Sequence, residues 1–219
     1  LRHRGPDEQQ IWQHKGITFI HTRLAIQELS AAGRQPMHRN GLHIIYNGEI
    51  YNHMELRQQY QLDCISHSDT ETLLHLYEKN GLDMLSELDG MFALALYDES
   101  KEKLFLIRDR AGEKPLYFAA ENNKVLFASE LAVLQAILLP TIDKQRIANF
   151  LAVGYLPTSE TPYINIQELP PGSYAEIDVN SLVCETKTWW SIAPSYRKHY
   201  VGSYSDAMEE VDQLLTASV

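Results

Sequence analysis

The sequence predicts an α+β fold in which helices cover antiparallel β-sheets. Two groups of short runs rich in β-branched and aromatic residues are separated by a stretch with helical spacing. The links between the later runs are too short for the crossovers that parallel strands require. Over 219 residues, 44% are hydrophobic and 22% are charged, which is typical of a globular protein with one sizeable core.

The elements follow in order along the chain. The six strands are expected at residues 17–26, 42–46, 91–97, 103–108, 115–118 and 124–128. Helices are expected at residues 54–60, 70–78, 130–138 and 144–151. A Pro-rich stretch then leads to a hairpin of residues 173–177 and 182–189. A last helix, with Ser205 as its expected cap, runs to the end of the sequence.

Composition argues against several function classes. The formal net charge of −10 is spread along the chain, which disfavours binding to nucleic acid. No apolar run approaches the ~20 residues of a membrane span, and the opening residues do not resemble a signal peptide. We therefore expect a cytoplasmic protein that binds no membrane. Cys64 and Cys184 form no CxxC pair and are interpreted as small buried apolar groups, and the spacing of the histidines predicts no metal site.

Three segments place polar residues where strands or helices end. Arg23 lies within the apolar run HTRLAI, so it needs a fixed carboxylate partner from the protein or from a ligand. Asn47 and Gly48 follow an apolar strand, either as the tip of a hairpin or as amide donors beside a ligand. Asp69 lies at a helix start, where a carboxylate favours the positive end of the helix dipole. On local pattern alone, these alternatives stay open.

Eight blocks occur in one order along nearly the whole chain. They are LRHRGPD, HTRLAI, NGEIYN, SDTE, GMFALALYD, RDRAGEKPLY, FASE and ELPPGS. In this order they resemble the glutamine-hydrolysing asparagine synthetases. The resemblance implies the fold of an N-terminal nucleophile hydrolase, a four-layer αββα sandwich of two antiparallel sheets. It also implies a glutamine amidotransferase domain at residues 1–190, followed at 191–219 by a linker and the first helix before an ATP-dependent synthetase domain.

The resemblance further implies a glutaminase reaction. In the family, an N-terminal Cys attacks the glutamine carboxamide while its own amino group acts as the base, which gives a thioester and ammonia. By position, Arg23 is expected to hold the substrate α-carboxylate, and Asn47 with Gly48 to form the oxyanion hole. Glu49 and Asp69 are expected to bind the α-ammonium group. The backbone of two more residues is expected to line the pocket, namely Leu24 and Ile26.

Partners follow from the same resemblance. The domain is expected to bind L-glutamine without a cofactor or metal of its own. ATP and Mg²⁺ are expected in the synthetase domain, which would use the ammonia to convert aspartate to asparagine. Family likeness alone suggests a homodimer.

The sequence departs from the family in one respect. No Cys stands at position 1, and neither Cys64 nor Cys184 matches the nucleophile. We therefore interpret the chain as truncated at both ends and expect it to be inactive, with a sheet edge left open where the first strand belongs. Two alternatives remain: an amidotransferase-like domain of another ATP-dependent amide-forming enzyme, and a non-catalytic binding module.

Overall fold

A computed structural model describes residues 2–121, 123–157 and 159–218. Its strands are β1 Glu8–His14, β2 Ile17–Arg23, β3 Met37–Arg39, β4 Leu42–Ile50, β5 Gly90–Asp98, β6 Lys103–Arg108, β7 Tyr117–Glu121, β8 Lys124–Ala128, β9 Gln167–Glu168, β10 Ser173–Asp178 and β11 Cys184–Thr188. Its α-helices are α1 His53–Tyr60, α2 Asp69–Asn80, α3 Leu131–Leu138, α4 Lys144–Val153, α5 Ala193–Tyr196 and α6 Tyr204–Ser218.

The strands form three antiparallel sheets. A central sheet of six strands has the order β11-β10-β6-β5-β4-β3. The hairpin β1-β2 and the three-stranded sheet β8-β7-β9 together cover one face of it. The predicted α+β sandwich is confirmed, but its second β layer is divided into two separate sheets.

The layers follow from the two-residue period of the central strands. On β4, the side chains of Ile44 and Tyr46 lie on one face of the sheet. They pack with Leu73 of α2 in a hydrophobic cluster, which we call the first core cluster. Ile45 faces the other way and packs with Phe19 of β2 in the second cluster. A third, smaller cluster lies where α3 covers the outer face of β7 and β8. Both faces of the central sheet are therefore buried, which explains the near-continuous apolar runs in β5 and β6.

Several element boundaries differ from the sequence predictions. The strand expected at residues 17–26 ends at Arg23, and the strand expected to end at residue 46 continues to Ile50. The hairpin-tip alternative for Asn47 and Gly48 is therefore wrong, because both residues pair with β5 inside a continuous ladder. Strand β1 was not predicted, and its sequence is largely polar. It is a strand because it pairs with β2, not because of its own pattern of apolar residues.

The cap of the last helix also differs from the prediction. Ser203, not Ser205, caps α6, since the Asp206 amide N–H donates to the Ser203 hydroxyl and the Ser203 amide donates to the Asp206 carboxylate. This reciprocal pair is a capping box. None of the described residues of α6 is buried. Within the described ranges, no helix combines the length and the apolar character that crossing a membrane requires.

The buried carboxylate of Asp109 fixes the loop that leaves the central sheet after β6. Asp109 is fully buried, and its Oδ1 accepts hydrogen bonds from the amides of Ala111 and Glu113, both at 3.0 Å. Its Oδ2 accepts from the amides of Phe92 and Lys114, both at 3.1 Å. One side chain thus satisfies four backbone donors and ties this loop to β5.

The preceding residue extends this network to the second β layer. The Arg108 guanidinium donates to the carbonyls of Lys114, Leu169 and Gly112 at 2.6 to 2.8 Å. It also lies 2.8 Å from the Glu168 carboxylate on β9. The pair of residues 108 and 109 therefore connects the two β layers through hydrogen bonds to charged groups, which are stronger than neutral ones.

We predict that Asp109→Ala destabilises the domain by about 3 kcal/mol, because several buried amides lose a charged acceptor. The matched control is Asp143→Ala, which removes the partly exposed cap of α4 that accepts from Gln145 and Arg146. That substitution should lower the free energy of unfolding by only about 1 kcal/mol. Equilibrium urea unfolding measures both values, and equal costs would contradict the role assigned to Asp109.

A second prediction concerns Gly48, where β4 and β5 approach closely. A Cβ atom at this position would lie 2.1 Å from the Met91 carbonyl oxygen and 2.7 Å from the Phe92 Cα. Because backbone atoms yield little, Gly48→Ala should cost about 3 kcal/mol of unfolding free energy. At Gly16, with φ +82° and open space around it, the same substitution should cost about 1 kcal/mol. Chemical denaturation measures both free energies of unfolding. A larger loss in Gly16→Ala than in Gly48→Ala would refute the prediction.

Candidate functional site

A cavity of about 720 Å³ opens between the central sheet and the second β layer. It is bordered by β2 and the loop after it, by the end of β4, by the start of α2 and by β8. The seven residues predicted as site residues all line this one cavity: Arg23, Leu24, Ile26, Asn47, Gly48, Glu49 and Asp69. Residues from three separate segments of the chain are thereby brought together.

Arg23 ends β2 and is 9% exposed. Its Nη1 lies 3.6 Å from the Glu8 carboxylate, and its Nη2 donates a hydrogen bond to the Glu28 carbonyl oxygen. Glu8 is shared with Arg34, whose Nε lies 2.7 Å from the other carboxylate oxygen. The protein therefore supplies one carboxylate partner for Arg23. A guanidinium has five N–H donors, so these contacts leave donors for a second carboxylate.

The edge of β4 beyond β3 presents three amides. Strand β3 pairs with β4 only as far as Ile44, and along the rest of β4 every second amide points away from β5. The Tyr46 amide donates to the Gln35 side chain at 2.6 Å, and the Ile50 amide donates to Asp69 at 3.1 Å. The Gly48 amide lies between these two and has the same orientation. It is directed at the cavity edge.

Asn47 contributes its side chain on the face of β4 that looks toward the second β layer. This direction follows from the alternation along β4, since Ile45 packs on that same face. Within the part of the chain that the structure describes, the Asn47 carboxamide has no hydrogen-bond partner. The Asn47 side chain and the Gly48 amide are therefore two N–H donors available at the end of one strand.

Asp69 is the first residue of α2 and is 6% exposed. Its Oδ2 accepts hydrogen bonds from the Tyr46 hydroxyl at 2.7 Å and from the Ile50 amide at 3.1 Å. Burial raises the pKa of the Asp69 carboxyl above its usual value, although these hydrogen bonds act in the opposite direction. Asp69 lies in the first turn of α2 as predicted, but Ser68 is the cap residue, and the Asp69 carboxylate accepts hydrogen bonds from β4 and borders the cavity.

The remaining predicted residues lie at the cavity mouth. Glu49 accepts a hydrogen bond from the Gln27 side chain at 2.8 Å. Leu24 and Ile26 are 56% and 67% exposed on the loop after β2. A cavity wall formed by a strand end and an irregular loop can place backbone groups against a small polar ligand.

Neither cysteine lies at the cavity. Cys64 and Cys184 are both partly exposed rather than buried, which corrects the interpretation of their sequence context. Desolvation nevertheless raises the pKa of both thiols, so neither is activated as a nucleophile.

Sequence reasoning missed one residue that organises the site. Gln35 is buried, accepts from the Tyr46 amide and donates to the Thr70 hydroxyl at 3.2 Å. It therefore holds the start of α2 against the open edge of β4. A glutamine in a polar loop before a proline carries no local signal of such a role.

The chain resembles several known proteins. It is 33% identical to a putative glutamine-hydrolysing asparagine synthetase 2 of Methanocaldococcus jannaschii, over 91% of this chain and 43% of the relative. It is 40% identical to the glutamine-hydrolysing asparagine synthetase B of Escherichia coli, over 61% of this chain and 25% of the relative. The chain spans between 27% and 43% of the length of the first curated relatives.

A solved structure supports the fold. Glutamine phosphoribosylpyrophosphate amidotransferase from B. subtilis superposes with a TM-score of 0.56 at 24% identity, covering 80% of this chain and 36% of that one. At this identity the likeness concerns the fold alone. The family model described as the glutamine amidotransferase domain matches residues 1–190. Because this match covers most of the 219 residues, the chain belongs to the glutamine amidotransferase domain family.

Proposed function

We propose that the cavity binds L-glutamine and that the domain hydrolyses its side-chain amide to glutamate and ammonia. The observation that supports this best is the set of charges and donors around one cavity. A guanidinium at Arg23 suits an α-carboxylate, and carboxylates at Glu49 and Asp69 suit an α-ammonium group. The Asn47 and Gly48 donors suit the oxygen of a carboxamide that becomes negatively charged during attack.

The reaction needs a nucleophile that the two cysteines of this sequence do not provide. In the described ranges, β2 pairs with β1 alone and β8 pairs with β7 alone, while residues of both strands line the cavity. We propose that a further strand enters between Ile20 of β2 and Val125 of β8 and carries a Cys thiol to the cavity. Such a strand would join the two smaller sheets into one and satisfy their edges.

The chemistry then proceeds in two steps. The thiol sulfur bonds to the amide carbon of glutamine as a base takes its proton, and the Asn47 and Gly48 donors stabilise the oxyanion. The C–N bond breaks as that proton passes to the nitrogen, which releases ammonia and leaves a thioester. Water then attacks the thioester carbon, glutamate leaves, and the thiol is restored.

In the whole protein, we propose that the ammonia amidates aspartate to asparagine in a C-terminal ATP-dependent synthetase domain. Support comes from the names of the relatives, which are glutamine-hydrolysing asparagine synthetases. Residues 1–190 would then be the amidotransferase domain, and residues 191–219 would lead into the next domain. ATP and Mg²⁺ would bind there, and a cytoplasmic location follows from such substrates.

We predict that Arg23→Ala raises the KM for glutamine about 100-fold in the full-length gene product. The reason is that two hydrogen bonds to the substrate carboxylate, each worth about 1.5–3 kcal/mol, are lost. The measurement is glutamate release at a series of glutamine concentrations, with and without aspartate and ATP. Product analysis with a panel of carboxylic acids in place of aspartate tests the acceptor separately.

The matched control for that variant is Arg39→Ala. Arg39 forms an ion pair with Glu78 at 2.7 Å and lies away from the cavity, so its loss should leave the KM within about twofold. An unchanged KM in Arg23→Ala would exclude Arg23 from substrate binding. Activity without any cysteine at the cavity would exclude the proposed thiol.

The raised pKa of Asp69 predicts a pH dependence of glutamine binding. Only the ionised carboxylate attracts an α-ammonium group, so affinity should be constant above the raised pKa and decrease as the pH falls through it. Asp69→Asn should bind glutamine weakly, with a flatter profile. His53 on α1 is an ionisable group that acts electrostatically on Asp69 but does not line the cavity, so His53→Gln controls for titration of this histidine. Calorimetric titration between pH 4.5 and pH 8 measures all three. An identical profile in Asp69→Asn would contradict the assignment.

A further inference from the structure

A second site lies outside the cavity, where the loop after α1 meets α2. Cys64, Glu71 and His75 each offer one donor atom, and these three atoms all lie within 4.8 Å of one another. None of the three lines the glutamine cavity. We propose that these residues bind a divalent transition-metal ion, with zinc as the ion best matched to the donors.

The strongest observation is the orphaned nitrogen of His75. This residue is 6% exposed, and its Nε2 has no hydrogen-bond partner in the described part of the chain. A buried polar nitrogen without a partner costs free energy, so it needs an explanation. The Oε1 of Glu71 lies 3.8 Å from this nitrogen, which is too long for a hydrogen bond. A metal ion between the two atoms would give the His75 nitrogen the partner that it lacks.

The spacing suits such an ion. Zinc lies about 2.0–2.3 Å from nitrogen, oxygen and sulfur ligands, so tetrahedral ligand atoms are separated by about 3.3–3.6 Å. The pair formed by Glu71 and His75 is close to that spacing before any adjustment. The two residues lie one helical turn apart on α2, and Cys64 on the preceding loop is partly exposed. The Cys64 sulfur, within 4.8 Å of both other donor atoms, has to move closer to them to bind the same ion.

The surroundings orient the carboxylate. Glu71 accepts hydrogen bonds from the Ile65 amide at 2.9 Å and from the Ser66 amide at 2.8 Å, and also from the Ser66 hydroxyl. Such outer contacts hold a ligand in position for a metal. They also tie the loop that carries Cys64 to the helix that carries His75.

The cations nearby are already engaged. The Arg57 guanidinium donates to the Thr72 hydroxyl at 2.7 Å and to the carbonyls of Ser66 and Ser68, both at 2.6 Å. Arg39, the other cation that acts on Cys64, is paired with Glu78. A thiolate and a carboxylate balance the charge of a divalent ion, and binding displaces the thiol proton to solvent.

The set of donors favours zinc over magnesium or calcium. A thiolate and an imidazole are soft or borderline ligands, whereas magnesium and calcium prefer oxygen. Three protein ligands leave a fourth position for water. The ion would fix the start of α2, where the cap residue Ser68 and the first helical residue Asp69 border the glutamine cavity.

We would titrate the 219-residue chain with Co²⁺, which reports a bound thiolate by a charge-transfer absorption band, and then displace it with Zn²⁺. We expect one equivalent of Co²⁺ with this band. Cys64→Ser should abolish the band, whereas Cys184→Ser, which removes the other thiol, should leave it unchanged. Glu71→Gln should keep the band but weaken binding by at least about tenfold.

Circular dichroism without metal verifies that each variant is folded, and Zn²⁺ should raise the unfolding temperature of the wild type but not of Cys64→Ser. Absence of the band in the wild type would overturn the proposal. A band that persists in Cys64→Ser, or that disappears only in Cys184→Ser, would do so as well. Since the proposed glutamine site has separate residues and a separate assay, its failure would be distinguishable from failure here.

Discussion

The shortness of β3 is the constraint on which the candidate site depends. Because β3 covers β4 only as far as Ile44, the next three outward amides of β4 need other partners. Gln35 satisfies the first, and Asp69 satisfies the last. The amide of Gly48 remains between them, on the border of the cavity. A longer β3 would have paired this edge and closed the site.

The central sheet explains how one strand serves both core and cavity. Alternate residues of β4 pack against α2, while the others face the second β layer. Gly48 is needed because β5 approaches too closely for any side chain there. Arg108 and Asp109 hold the loop after β6, and this loop connects the central sheet to the second β layer. The division of that layer into two sheets leaves the cavity between β2 and β8.

Much of the fold could be predicted because its signals are local. Strands β6 and β8 have the predicted bounds, and α2 and α4 lie within two residues of them. Strand β1 was missed because its polar sequence is specified by its partner β2. The continuation of β4 through Asn47 and Gly48 was missed because a turn signal was overridden by pairing with β5. Ser203 rather than Ser205 caps α6, since two serines in close succession compete for the same position.

The sequence alone determined the family blocks, the α+β class and the types of residue at the candidate site, because these depend on residue identity and short-range order. The resemblance implied that Arg23, Asn47 and Asp69 act at one site, but only the tertiary structure shows that they line one cavity, since their separation along the chain says nothing about distance. It also decided the role of Gln35 and the proximity of Cys64 to His75. Both features depend on which polar groups are buried away from water and therefore need partners in the protein. Burial is a property of the folded chain and cannot be read from local sequence.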